Sequence, residues 1–157
     1  MINFDLVEPK VFVGSSPQSD IDVERLAQLK ITAVINLQSD EDLSVRNINW
    51  QELEAMYLRH DIVVERFPIN DFDEVDLGNK VAEPIERLNS FLQVGHKVYV
   101  HCNSGICRAP AVVLGYLCHY QDMSISAGLQ QLHIARPIVS PYRSAVVKAL
   151  EYLSEKD

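Results

Sequence analysis

Residues Ile31 to Leu37, ITAVINL, are almost wholly apolar and rich in β-branched side chains. A strand of that make-up has no face to offer water, so it must lie in a sheet covered on both sides. The flanking segments supply the cover. Lys10 to Gly14 (KVFVG) is a short strand ending in a Ser-Ser-Pro turn, and Ser19 is placed to cap a helix from Asp20 to Lys30. A second helix is expected from Asn49 to Arg59, with Leu53, Met56 and Tyr57 on its inner face. Ile62 to Ile69 reads as a strand, and the polar segment Asn70-Asp71-Phe72-Asp73-Glu74 as the loop after it. Val81, Ile85, Leu88 and Leu92 recur at helical spacing before Gly95; Pro84 among them requires a kink or a helix start close by. Lys97 to His101 (KVYVH) is the last strand, followed by helices at Pro110 to Tyr120, Ser124 to Ala135 and Ser140 to Glu155.

Strands alternating with helices imply an α/β fold, a central, largely parallel sheet flanked by helices. The 157 residues suit one domain, taken as residues 1–157. Ligands of such sheets bind beyond the carboxyl ends of the strands, which puts the loops after Ile69 and after His101 on one edge. Composition narrows the partners. Fourteen Lys and Arg against 22 Asp and Glu leave a formal charge of −8, the wrong sign for a generic binder of nucleic acid or anionic membrane. One local positive pocket for a small anion remains compatible with it. No apolar run approaches the ~18 residues of a membrane span, and no basic segment followed by an apolar stretch marks a secretory signal. Three cysteines, Cys102, Cys107 and Cys118, do not make a disulfide framework, so a reducing cytoplasm is the expected setting. Cys118 sits among Leu114, Leu117 and aromatic neighbours and reads as core filler.

Chemistry concentrates in His101-Cys102-Asn103-Ser104-Gly105-Ile106-Cys107-Arg108-Ala109-Pro110, which leaves a buried strand and enters a buried helix. Five residues separate Cys102 from Arg108. A loop that short curls its backbone N–H groups toward one centre, and Gly105 permits the backbone conformation this needs. Such a nest at a helix N-terminus holds an anion. The same N–H groups favour thiolate over thiol at Cys102, and Arg108 offers a planar fork for two phosphate oxygens. A zinc site made of His101, Cys102 and Cys107 would lack a fourth ligand and leave Arg108 without a role. No metal or other cofactor is expected.

This run resembles the His-Cys-five residues-Arg signature of cysteine-dependent phosphatases, on the dual-specificity branch of the tyrosine-phosphatase superfamily. The resemblance implies that family's fold over most of the chain. The low-molecular-weight phosphatases carry a similar loop near the N-terminus, unlike this chain. It also implies roles: Cys102 as nucleophile, Arg108 as phosphate ligand, Asn103, Ser104, Gly105, Ile106 and Cys107 as the substrate-binding loop, and His101 as a supporting residue behind it. The family's general acid is an Asp on a loop roughly thirty residues before the cysteine. Asp71 lies 31 positions before Cys102 and Asp73 lies 29 before it; Asp71 is preferred. An inactive phosphate-binding module on the same loop is the reading from another class; intact Cys102 and Arg108 argue against it, as the loop spacing and Asp71 argue against a sulfur transferase.

Two positions depart from the usual pattern. Ala109 stands where many relatives have Ser or Thr, although Arg-Ala-Pro occurs in plant glucan phosphatases. Cys107 lies beside Arg108; a similar pairing in the low-molecular-weight phosphatases is associated with a protective disulfide to the nucleophile, and packing as a small apolar residue is the alternative. For substrate, the loop interior carries no Lys or extra Arg, which disfavours multiply phosphorylated lipids. A phosphorylated protein, bearing phosphotyrosine and also phosphoserine or phosphothreonine, is the first expectation. A phosphorylated glucan is the alternative. Val13 to Pro17, Val34 to Gln38, Asp71-Phe72-Asp73 and the Cys102 loop resemble the plant glucan-phosphatase pattern, in which the aromatic beside the acid stacks on a sugar. Phe72 holds that position, with Trp50 or Tyr142 as extensions of the platform.

Overall fold

The computed structural model describes residues 1–156. Its sheet has five strands: β1 (Phe4–Glu8), β2 (Val11–Gly14), β3 (Ala33–Asn36), β4 (Val63–Arg66) and β5 (Val98–His101), in the order β1-β2-β5-β3-β4. β5 pairs in parallel with β2 and β3, and β3 with β4; only β1 runs antiparallel, against β2. Side chains alternate across the layer. Val11, Val13, Ile35, Val98 and Val100 face one core, and Phe12, Val34 and Tyr99 face the other. The second core is closed by α1 (Asp20–Gln28) and α3 (Trp50–Arg59). The first is closed by α4 (Glu74–Lys80), α5 (Ala82–Gln93), α6 (Arg108–Tyr120), α7 (Ile125–Ala135) and α8 (Arg143–Lys156). With helices on both sides, the apolar β3 is fully buried, as its sequence requires.

Three elements went unread in the sequence. β1 is an edge strand whose side chains are mostly part-exposed, so FDLVE carries little hydrophobic pattern. α2 (Asp40–Val45) and α4 are each under two turns and acidic in their first turns, too short for an apolar period. What makes them is capping: Ser39 and Asp73 accept the Asp42 and Asp76 N–H groups.

Boundaries also move. The strand read to Ile69 ends at Arg66, although Phe67 N and Ile69 N still donate to Asn36 O and Leu37 O. α8 starts at Arg143 rather than Ser140. α6 begins at Arg108, two residues ahead of Pro110, and α5 begins at Ala82, two ahead of Pro84. Both prolines fall in a first turn, where a missing N–H costs no helical bond. The four parallel strands end on one edge, and the loops that follow them build the site.

Candidate active site

The loop between β5 and α6 is shaped from both sides. Gly105 adopts φ +69°, and a Cβ there would lie 2.6 Å from Gly14 O, so the loop packs directly on the end of β2. Ser16 N donates to Asn103 O at 3.0 Å and Ser140 N to Ile106 O at 2.6 Å, fixing both arms. Behind the loop, Arg136 is only 2% exposed. Its Nε donates to Gly105 O at 2.9 Å and its Nη2 to Ser104 O at 2.9 Å. Asp5 of β1 and Asn3 just before that strand, at 2.9 and 2.7 Å, hold the same guanidinium. Carbonyls tied to the rear leave the opposite sides of those peptides facing forward.

Cys102 is buried at the base of the loop, after β5. His101 is wholly buried beside it, with Nδ1 3.0 Å from Cys102 O. A carbonyl only accepts, so the proton belongs on Nδ1. Burial keeps this imidazole neutral: desolvation lowers it to about 4 against the opposing Cys102 hydrogen bond, with help from the nearby Arg108 charge.

Arg108, the first residue of α6, is 2% exposed. Its Nη1 donates to Asp42 Oδ2 at 2.7 Å, to Ile69 O at 2.8 Å and to Leu37 O at 3.3 Å. Nε and Nη2, which share one edge of the planar group, are buried and make no hydrogen bond. Nη2 lies 3.3 Å from Asp71 Oδ2, within ion-pair distance but unaligned for a hydrogen bond. One half of the guanidinium is thus anchored and the other presents two unmatched donors.

Of the two candidate acids, Asp71 points into the loop and also accepts from Asn103 Nδ2 at 3.2 Å. Asp73 turns away to cap α4, accepting from Asp76 N at 2.9 Å. Phe72 between them is 87% exposed at φ +56°. It lines a cleft of about 320 Å³ with Asp71, Asp42 and Asn103. A larger cavity of about 760 Å³ lies between α5 and α8 and touches no residue of the Cys102 loop. Trp50 is partly buried on the other core, with the Arg66 guanidinium 5.3 Å from its ring, and Tyr142 packs on the first core. Within the loop, Ser104 and Ile106 are exposed and Asn103 is half-buried. Cys102, Cys107 and Cys118 are free thiols. Cys107 is half-buried, and burial pushes its thiol up despite a hydrogen bond with the Tyr142 backbone.

Asp42, Gln38 and Arg136 were missed from sequence, although each touches the loop or its arginine. Asp42 had a readable signal: the Ser39-x-x-Asp42 spacing is that of a capping box, and the structure forms both of its bonds. Arg136 had none. Among the described residues, no group of three or more His, Cys, Asp or Glu is placed to hold a metal ion. Nor is any helix there long and apolar enough to cross a membrane.

A family model described as dual specificity phosphatase, catalytic domain, matches residues 11–154. The chain belongs to that family. Among curated relatives of this dual-specificity phosphatase domain is the chloroplastic phosphoglucan phosphatase LSF1 of Arabidopsis thaliana, 29% identical over 87% of this chain and 24% of its own length. The amyloplastic phosphoglucan phosphatase DSP4 of Castanea sativa is 28% identical over 99% of this chain and 43% of its own. Human dual specificity protein phosphatase 5 is 26% identical over 94% of this chain and 35% of its own. The chain therefore spans less than half the length of these relatives. Two solved structures share the fold. PTPMT1 in complex with PI(5)P aligns with a TM-score of 0.79 at 19% identity, covering 97% of this chain and 95% of that one. The human tyrosine phosphatase-like serine/threonine/tyrosine-interacting protein aligns at 0.76 and 23% identity, covering 98% and 97%.

Proposed function

We propose that the chain hydrolyses phosphomonoesters through a cysteinyl-phosphate intermediate. The observation that carries this reading is the buried, unmatched Nε and Nη2 edge of Arg108 beside the Cys102 loop. Buried donors without partners cost free energy, and a phosphoryl group bound by the fork satisfies both at once. The Cys102 thiolate attacks phosphorus, the bond to the leaving oxygen breaks, and Asp71 gives that oxygen its proton. Asp71, now a carboxylate, takes a proton from water as the water oxygen attacks phosphorus. The S–P bond breaks, releasing phosphate and restoring the thiolate. Cys107 is read either as a protective partner of Cys102 or as a small residue packed, half-buried, against the first core. In the protective role, peroxide converts the Cys102 thiolate to a sulfenic acid, and Cys107 displaces water from it to form a disulfide that thiols reduce. Recovery with dithiothreitol after peroxide treatment, lost in Cys107→Ser, supports that role; recovery unchanged in the variant supports packing.

The first reading of the substrate is a phosphorylated protein in the cytoplasm, with phosphotyrosine and also phosphoserine or phosphothreonine as the hydrolysed group. Family membership and a loop interior free of Lys and Arg, suited to a single phosphate, support it. A phosphorylated glucan is the second reading. Phe72 favours it, as an exposed ring next to Asp71 that offers a face to a sugar, and two relatives bear the name phosphoglucan phosphatase. Phosphate release from a phosphotyrosine peptide and from phosphorylated amylopectin, measured together with Cys102→Ser as the blank, tests both. Peptide turnover without glucan turnover supports the first. Glucan turnover that collapses in Phe72→Ala reverses the order. No turnover of either, with phosphate still bound, leaves the inactive binding module.

A further inference from the structure

The Asn103 side chain joins the segment after β3, through Gln38 and, on α2, Asp42, to Asp71 on the loop after β4. Its Oδ1 accepts from Gln38 Nε2 at 2.9 Å, and its Nδ2 donates to Asp42 Oδ1 at 2.9 Å and to Asp71 Oδ2 at 3.2 Å. This orientation is forced. An ionised carboxylate only accepts, so the amide must turn its NH2 toward Asp42 and its oxygen toward Gln38. The two hydrogens of that NH2 are then matched to two carboxylates. Asp42 is a firm anchor, because its other oxygen is held by Arg108 Nη1 and by Ser39 N.

Asp71 also accepts from Phe72 N at 3.1 Å, a bond within its own loop that ties it to no other element. It lies against Arg108 Nη2 as well, but that donor belongs to the edge a phosphoryl group takes. When substrate binds, Arg108 is drawn to phosphate oxygens and its hold on Asp71 weakens. The Asn103 contact is untouched by that exchange. Resting on the hydrolase reading above, we infer that Asn103 is the positioning residue for Asp71, holding the acid over the loop once the phosphoryl group has claimed Arg108. Its side chain serves the leaving-group side of the reaction; the loop's grip on phosphate comes from backbone N–H groups and Arg108.

The test is leaving-group dependence. p-Nitrophenyl phosphate releases a phenolate that departs without a proton, whereas phenyl phosphate needs the acid. In Asn103→Ala the ratio of kcat on phenyl phosphate to kcat on p-nitrophenyl phosphate should fall by about tenfold or more, a fraction of what general acid catalysis supplies. The inhibition constant for inorganic phosphate should stay within about twofold of its original value, since the phosphate ligands remain. In an Asp71→Asn background the same substitution should leave the ratio where Asp71→Asn alone puts it. An unchanged ratio, an equal fall on both substrates, a matching loss of phosphate affinity, or additivity with Asp71→Asn overturns the inference. Asn103→Ser, which keeps a small polar side chain in the loop, is the second variant should the alanine form fold poorly. Failure of the unaltered chain to turn over either ester would instead remove the hydrolase reading, and the inference with it.

Discussion

Asp42 Oδ2 lies 2.7 Å from Arg108 Nη1, with side-chain exposures of 10% and 2%. Burial alone would raise the Asp42 carboxyl. Hydrogen bonds from Arg108, Asn103 and Ser39 N, with the guanidinium charge, outweigh it and hold the group at about 2. Removing the carboxylate leaves a buried cation with two carbonyls and, on its other edge, only the unaligned Asp71 carboxyl at 3.3 Å. Asp42→Ala should therefore cost about 3–5 kcal/mol, the usual penalty for halving a buried pair. Urea unfolding at neutral pH measures this. Because the folded value lies below the unfolded one, Asp42 stabilises fully above the unfolded range near 4. That contribution, about 2 kcal/mol, fades as pH falls toward 2. Stability curves of the unaltered chain and of Asp42→Asn should converge over that interval.

His101 gives a second pH dependence at a higher interval. The buried imidazole stays neutral down to about 4, whereas in the unfolded chain it protonates near its ordinary 6.5. Below 6.5 the unfolded state binds the extra proton, so stability falls as pH drops from 6.5 to 4, by about 3 kcal/mol in all. His101→Asn should flatten this part of the profile. Thermal unfolding at several pH values between 7 and 4 reads the slope directly, and an equally steep slope in the variant would count against the assignment.

The parts of the fold legible in the sequence were those built by burial. β2, β3 and β5 are apolar because helices cover both faces, and the Cys102-to-Arg108 spacing sits between a strand and a helix that announce themselves. The short α2 was illegible for a different reason: a capping box makes it, and its apolar content is only Leu43 and Val45. That helix carries Asp42, so missing the helix meant missing the anchor of the arginine. Arg136 was hidden more thoroughly. Its four partners, Asn3, Asp5, Ser104 and Gly105, come from segments remote in sequence, and only the antiparallel β1 brings the first two to the loop. Spacing ranked Asp71 and Asp73 only two residues apart; backbone direction around Phe72 separates them in space.

That separation makes the two aspartates distinguishable. Asp73→Ala deletes the N-cap of α4 and should lower stability by about 1 kcal/mol, with little effect on turnover. Asp71→Asn keeps the fold and cannot donate or take the proton, so turnover of phenyl phosphate should fall by about two orders of magnitude or more. Steady-state kinetics beside thermal unfolding for both variants gives opposite patterns. A larger kinetic loss in Asp73→Ala than in Asp71→Asn would exchange their roles.

Gly105 is where the site tolerates least. Its φ of +69° penalises any side chain, and a Cβ would meet Gly14 O at 2.6 Å and Gly14 Cα at 2.9 Å, both backbone atoms. Neither neighbour can swing aside, because Gly14 belongs to β2 and is paired in register with His101. Relief must come from the loop itself, which would move forward and break the Arg136 bonds to Ser104 O and Gly105 O. Gly105→Ala should thus lower stability by about 1–3 kcal/mol, the range for a strained backbone position. It should also weaken phosphate binding by tenfold or more, on the order of 1.4 kcal/mol. Titration with phosphate or tungstate, followed by the shift in unfolding temperature, reads both effects. Arg136→Lys supplies the matching control, since it loosens the same two carbonyls without adding a side chain to the loop. Weakened oxyanion binding in both variants would trace the defect to loop geometry; weakening in Gly105→Ala alone would trace it to the added methyl group.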